Sequence, residues 1–423
     1  MSEPGADRTG TLAPLVRDYL VLGLRLGRHV DGFVDCWFGD RAISARVAAE
    51  PPVSPLVLAA QARRLGAELA EAELDESRRR FLAAQLTAMA ATADRLAGRE
   101  RSFVVEVQDY FDVHIVLGDP DRYACLHDTM AELLPGPGDL GARLEAFYDR
   151  NAIPPDKLAR AVRAVSDELR ARARSLFGLP PSERVDYEVV RDRPWNAFNT
   201  YLGDFRSKVA LNAESGRAIA ALPTMVTHES YPGHHTDHCL KEAGLVRERG
   251  HDEQLISLVN TPQCLIAEGA GELAVAAILG EGWGAWTAEI LSAEGIRSDG
   301  ELVERVLAVF AQLLPARQDA AILLHDRGAD PDEVLAFLRR WLLLPPDRAE
   351  HMMSFLTDPL WRAYTVTYIE GARLVRAWLG ARPAGQPVAD RYLALLREPV
   401  LPSDLQADLQ DRVEVHPRER GPH

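Results

Sequence analysis

Apolar side chains recur at helical spacing along most of the chain. Between 11 and 30, Leu12, Leu15, Val16, Tyr19, Leu20, Leu22 and Leu26 fall on one face, which predicts a helix. The same periodicity predicts helices over 54–72, 77–98, 139–150 and 155–177, and beyond 252 over 253–280, 299–325, 331–343 and 359–380. Ser54 and Asp330-Pro331 are natural helix starts, since a small polar residue caps free amides and proline suits the first turn. Pro345-Pro346 punctuates the later series.

One stretch has a different period. Val185, Tyr187, Val189 and Val190, then Asn199 to Leu202, then Val209 to Leu211 read as short strands, with Gly203-Asp204 as a two-residue hairpin turn. The predicted fold is therefore mainly α, a multi-helical body with a small β-hairpin or sheet. No linker divides it. An N-terminal helical lobe over 1–180 and a metal-binding lobe over 181–423 are expected, the alternative being one continuous domain. The last residues, His416 to His423, read as a frayed tail.

Composition narrows the function classes. The chain has 423 residues and a formal net charge of −15, with no Lys/Arg-rich run to neutralise phosphates, so no nucleic-acid partner is expected. Four scattered cysteines without a CxxC pair point to reduced thiols. The start, MSEPGADRTG, lacks the pattern of a signal peptide, and no run of 18 apolar residues is present, so a cytoplasmic protein with no membrane partner is expected.

Four of the 12 histidines lie between 228 and 238, in His228-Glu229-Ser230-Tyr231-Pro232-Gly233-His234-His235 and His238. Histidine is the commonest metal ligand, and a glutamate directly after the first ligand is where a metallohydrolase keeps its general base. The usual second position, four residues on, is Pro232. His234 and His235 lie six and seven residues on, about 9–10.5 Å along a straight helix, too far for one zinc ion. The helix must break, and Pro232-Gly233 favours a break by removing an amide donor and freeing the backbone. A looped-out Pro-Gly would bring His234 to the second ligand position. A rival pairing, His234 with His238, needs no break and would leave His228 and Glu229 outside the metal's ligands. Glu268 and Glu272 sit four apart on an otherwise small, apolar helix, where a carboxylate needs a partner. Glu268 is the candidate third ligand, and Glu272 the candidate to orient a ligating histidine from behind.

These residues resemble the HExxPGHH motif of the DUF885 family, proteins related to the gluzincin metallopeptidases. Ala267-Glu268-Gly269 resembles the family's Glu-Gly segment, Arg317 and His325 a following helix and turn, and Tyr368-Ile369-Glu370-Gly371 a C-terminal segment. Phe33-Val34-Asp35 resembles an N-terminal segment of shorter members. The likeness covers about 220–375. The chain departs from the pattern at Ala270, at Ala321 and in an EGWG string at 281–284, where Glu281 is read as a decoy. The resemblance implies a zincin-like fold, one Zn²⁺ per chain, and hydrolysis of a peptide or small amide. His228, His234 and Glu268 would be ligands, Glu229 the base and Tyr368 an oxyanion donor. His235 would touch substrate or be the second ligand, and Arg317 and His325 would bind a substrate carboxylate. A strand edge at Lys208 to Asn212 would align the peptide. The alternatives are a metal enzyme acting on a non-peptide amide or ester, and a non-catalytic metal-binding scaffold.

Overall fold

The computed structural model describes residues 13–191, 195–213 and 221–415. The start read for a signal peptide and the tail at His416 to His423 lie outside the described residues.

The fold is mainly α, as the periodicity predicts. Helices cover Pro14–Gly27, Pro55–Glu68, Glu76–Leu96, Leu140–Asn151 and Pro155–Phe177, each within the expected stretch or a residue or so of it. Asp330 caps its helix as read, accepting from the Asp332 amide, with Pro331 in the first turn. Ser54 occupies the cap position but makes no side-chain cap hydrogen bond. The expected helix 299–325 is two, Gly300–Leu313 and Pro315–His325, because Pro315 opens a new first turn. Their combined 26 residues are long and apolar enough to cross a membrane, and half of that window is buried inside the protein, as in a core helix. The expected helix 253–280 begins only at Pro262, where Thr261 caps it by accepting from the Cys264 amide. The residues before it form a short 3-10 turn, Asp252–Leu255, and then a strand.

There are two small sheets among the described residues. β1 (Val34–Trp37) pairs antiparallel with β5 (Ile256–Leu258). β2 (Arg184–Val190), β3 (Ala197–Gly203) and β4 (Arg206–Asn212) form the sheet expected before the histidine motif, in the order β2-β4-β3. Two details differ from the expectation. The hairpin turn is Asp204-Phe205, one residue later than read, since Gly203 pairs with Arg206. Both turn residues take positive φ, 52° and 60°, as this tight turn demands. Arg247 supports them by pairing with Asp204 and lying 4.2 Å from the centre of the Phe205 ring. Second, Lys208 to Asn212 is no edge: β4 is hydrogen-bonded on both sides, parallel to β2 and antiparallel to β3. The edges that meet the motif are β2 and β3, and on β3 the Asn199 side-chain amide donates to the Glu229 carbonyl at 2.5 Å.

Helix Pro262–Ile278 is apolar nearly all round, so it can only lie inside the protein. It packs against Leu222–Glu229, Ala372–Gly380 and the π-turn Thr367–Gly371. Its small residues set how near those neighbours come. A Cβ on Gly269 would stand 2.4 Å from the Gly371 backbone, so the two chains touch where no side chain fits. Each of the three apolar clusters of the core takes residues from both sides of position 180, for example Phe103 with Leu313, Leu20 with Ile256, and Met130 with Val306.

Candidate metal centre

The helix that carries His228 and Glu229 ends at Glu229, and a new one starts at His234. Between them Ser230 leaves helical geometry (φ −133°, ψ −78°), and the Tyr231–Pro232 peptide is cis. The Gly233 amide folds back onto the Thr227 carbonyl at 2.8 Å, and the Thr236 hydroxyl and amide both donate to the Ser230 carbonyl. Backbone groups freed by the break are thus satisfied locally. A Cβ on Gly233 would lie 1.9 Å from the His228 carbonyl oxygen, so only glycine permits this turn. The Ser230 hydroxyl donates to Val226 and accepts from Tyr187 of β2, whose own hydroxyl is bonded to Ser166. This ties the break to the sheet.

The break brings the two imidazoles together edge to face, ring centres 4.6 Å apart. Glu268 reaches both, with one oxygen 3.2 Å from His228 Nε2 and the other 3.3 Å from His234 Nε2. One donor atom from each of His228, His234 and Glu268 lies within 4.8 Å of the others, and no other such group occurs among the described residues. Two ligands on a tetrahedral zinc, each bonded at about 2.0–2.1 Å, stand about 3.3 Å apart, so the donor set and its spacing fit this ion. Two imidazoles and one carboxylate also leave a fourth position open.

The surroundings fix each donor. Glu272 Oε1 lies 3.5 Å from His228 Nδ1, behind the ring, as expected of a group that sets the tautomer. Gly271 makes room for that ring, since a Cβ there would meet the imidazole at 2.7–2.9 Å. Tyr364 donates to Glu268 Oε1 at 2.8 Å. Tyr368 stands on the π-turn Thr367–Gly371, its ring 6.3 Å from His228 and 5.4 Å from Tyr364. Such turns recur at functional sites because they re-aim one residue. Tyr364 was missed in the sequence, although it precedes Tyr368 by one helical turn.

Electrostatics separates these groups. Burial alone would keep both imidazoles neutral, but Glu268, with Glu272 for His228, outweighs it and raises both. Burial pushes the Glu268 carboxyl up, and the two histidines more than reverse this, holding it far below its ordinary value. Glu229 is buried; desolvation raises its carboxyl, with Glu268 adding to this against His228 and His234. Burial pushes both tyrosine hydroxyls well up, so they stay protonated donors.

A narrow cleft reaches His234, Glu268 and Tyr364. Asp35 of β1 is on its wall, open to the cleft yet set among protein atoms. Desolvation, with Glu268 and Glu229 adding, raises its carboxyl to about 6 against the opposing effect of His234.

Other expected site residues lie elsewhere. His235 is fully buried on the far side of its helix, bonded to Ser207 and Glu183, so the structure does not bring it to the cleft. His238 lines the same cleft as His234 but stacks on Tyr201 with ring centres 4.6 Å apart, and it belongs to no group of three donors among the described residues. His325 bonds the Leu356 carbonyl at 2.8 Å and packs on Phe103, away from the three donors. Arg317 is half-buried on helix Pro315–His325, next to Gln318, which donates to Glu370 at the end of the π-turn. Glu281 is exposed, and the adjoining amides of Gly282 and Gly284 are held by Glu304.

No family model matches the chain, and no curated protein matches it. Two solved structures share the fold. A "putative lipoprotein" from Colwellia psychrerythraea is 16% identical, with a TM-score of 0.51 over 85% of this chain and 66% of its own. This chain thus spans just under two-thirds of that neighbour. A "putative lipoprotein of unknown function" from Shewanella oneidensis is 13% identical, with a TM-score of 0.50 over 91% of this chain and 77% of its own. The neighbours overturn the expectation of a cytoplasmic protein, since lipoproteins are membrane-anchored or exported. At these identities the likeness otherwise carries the fold alone.

Proposed function

We propose that this protein is a zinc-dependent hydrolase of the DUF885 kind, cutting a peptide or other amide bond. The observation that carries the reading is the break at Ser230 to Gly233, which sets His228, His234 and Glu268 within 4.8 Å of one another with Glu229 beside them. His228, His234 and Glu268 would hold the ion. When bound, zinc supplies a Lewis acid and makes water nucleophilic near neutral pH. Glu229 takes the proton from the attacking water and hands it to the leaving amine, a role suited to a buried carboxylate with a raised pKa. Tyr368, kept protonated, donates to the oxyanion. Tyr364 positions Glu268 by donating to one of its oxygens.

The test joins metal content to turnover. About one zinc per chain is expected in the wild type by elemental analysis, lost in His228→Ala and in His234→Ala and kept in His238→Ala. Glu229→Gln should keep zinc and lose about 10²- to 10⁴-fold in turnover of a peptide library. Retained turnover would remove Glu229 as base, and a zinc-free wild type would sink the reading.

A further inference from the structure

We infer that Asp35 anchors a primary ammonium group of the substrate in the cleft beside the three metal-binding donors, so that this enzyme prefers amides carrying a free amine. The inference rests on the hydrolase reading for its substrate, and on the cleft itself for its geometry.

Three carboxylates line the cleft. Asp237 is taken by Lys241, at 2.8 and 2.9 Å. Glu268 is taken by Tyr364 and the two histidines. Asp35 has no hydrogen bond or ion pair among the described residues, and is the carboxylate left over. Its position is built by a bulge in β1: Val34 faces Leu258 and Cys36 faces Ser257, so Asp35 is the extra residue with no partner across the ladder. A bulge re-aims the side chain it carries, and it occurs often beside active sites. Here it presents a carboxylate to a space that Leu258, Val259 and Ala267 line together with the polar Ser257, Gln263 and His238.

A carboxylate facing a partly apolar cleft attracts a cation, and two candidates differ in what they need. A metal ion needs several ligands, and Asp35 belongs to no group of three donors among the described residues. An ammonium group needs one good acceptor. A substrate carboxylate would be repelled by Asp35 and Glu268 together. The cation therefore belongs to the substrate, either its N-terminus or a lysine side chain.

The test uses zinc-loaded Glu229→Gln protein and calorimetric binding of three probes: Ala-Ala-Ala amide, its N-acetyl form, and acetyl-Lys-Ala-Ala amide. The free-amine peptide should bind at least about tenfold more tightly than the acetylated one, with the difference removed by adding Asp35→Asn. Recovery of affinity by the acetylated lysine peptide would assign the anchor to a side-chain ammonium instead. Equal binding of all three, no measurable binding of any, or a preference that survives Asp35→Asn would overturn the proposal. Should the Asn variant fail to fold, Asp35→Glu keeps the charge and should keep the preference, while loss of preference there overturns it. Wild-type protein that shows the Asp35-dependent preference but cleaves nothing would sink the hydrolase reading and leave the anchor standing.

Discussion

His234 and His235 are neighbours in the chain and stand in two different regions of the molecule. His234 is half-open and shares Glu268 with His228. His235 is enclosed behind the break, where its Nε2 donates to Glu183 and its Nδ1 accepts from Ser207. Glu183 is in turn held by Arg170, Arg174 and Tyr231. The rear cluster is closed: burial keeps His235 neutral against the pull of Glu183, and each Glu183 oxygen has donors. The front group is open: two imidazoles inclined to protonate surround one carboxylate, with the buried Glu229 carboxyl alongside and a cleft before them. The same residue type is sealed into structure in one place and, on the proposed reading, left for chemistry in the other. What separates them is whether the surroundings already satisfy the ring, which side chains alone do not announce.

The largest expected effect joins the two regions. Gly233→Ala forces a Cβ into the His228 carbonyl, and should cost about 4 kcal/mol or more in a denaturant melt and abolish zinc binding. A variant with wild-type stability and full zinc would show that the break does not set the donor spacing. Next, Glu183→Gln should cost on the order of 3 kcal/mol while leaving zinc stoichiometry intact at neutral pH. Burial pushes the Glu183 carboxyl up, but bonds from His235, Tyr231 and Arg170 outweigh it and hold it at about 2. Because this folded value lies below the unfolded one, the stabilisation is full above about pH 4.5 and fades as the pH falls towards 2. Acid titrations of wild type and variant should therefore converge over that window, and parallel curves would remove Glu183 as the cause.

Smaller effects should stay at the front. Gly271→Ala pushes on the His228 ring and should weaken zinc about 10- to 100-fold with little change in melting, read by competition with a chelator. Unchanged affinity would mean that the ring position is not critical. Glu272→Gln should weaken zinc about tenfold, and a null result would remove Glu272 as the group that orients His228. Zinc uptake should also strengthen with rising pH, since both histidines must shed protons that Glu268 helps them hold, and proton release on binding can be followed in a weak buffer.

How much was legible follows from how local each feature is. Helix Pro262–Ile278 announces itself through its apolar run, and its carboxylates through their isolation on it. The break is legible for one pairing, because Pro232 and the spacing of six residues leave His228 and His234 no way to share one zinc on a straight helix. Tyr364 was not legible, because its contact with Glu268 spans 96 residues and depends on how distant segments pack. Nor was the order β2-β4-β3, since strands close in sequence pair in more than one order, and so the expected edge fell in the middle of the sheet.

By itself, then, the amino-acid order determined a mainly helical body, a Pro-Gly pair that favours a break after Glu229, and a short roll of groups able to bind a metal. Periodicity and backbone chemistry act over a few residues, and these features need nothing more. The tertiary structure alone decided which histidine joins His228, which is sealed against Glu183, and that Asp35, from the other end of the chain, stands at the cleft. Those outcomes depend on which distant surfaces meet and which rings they leave unsatisfied, and that is settled only when the helices pack.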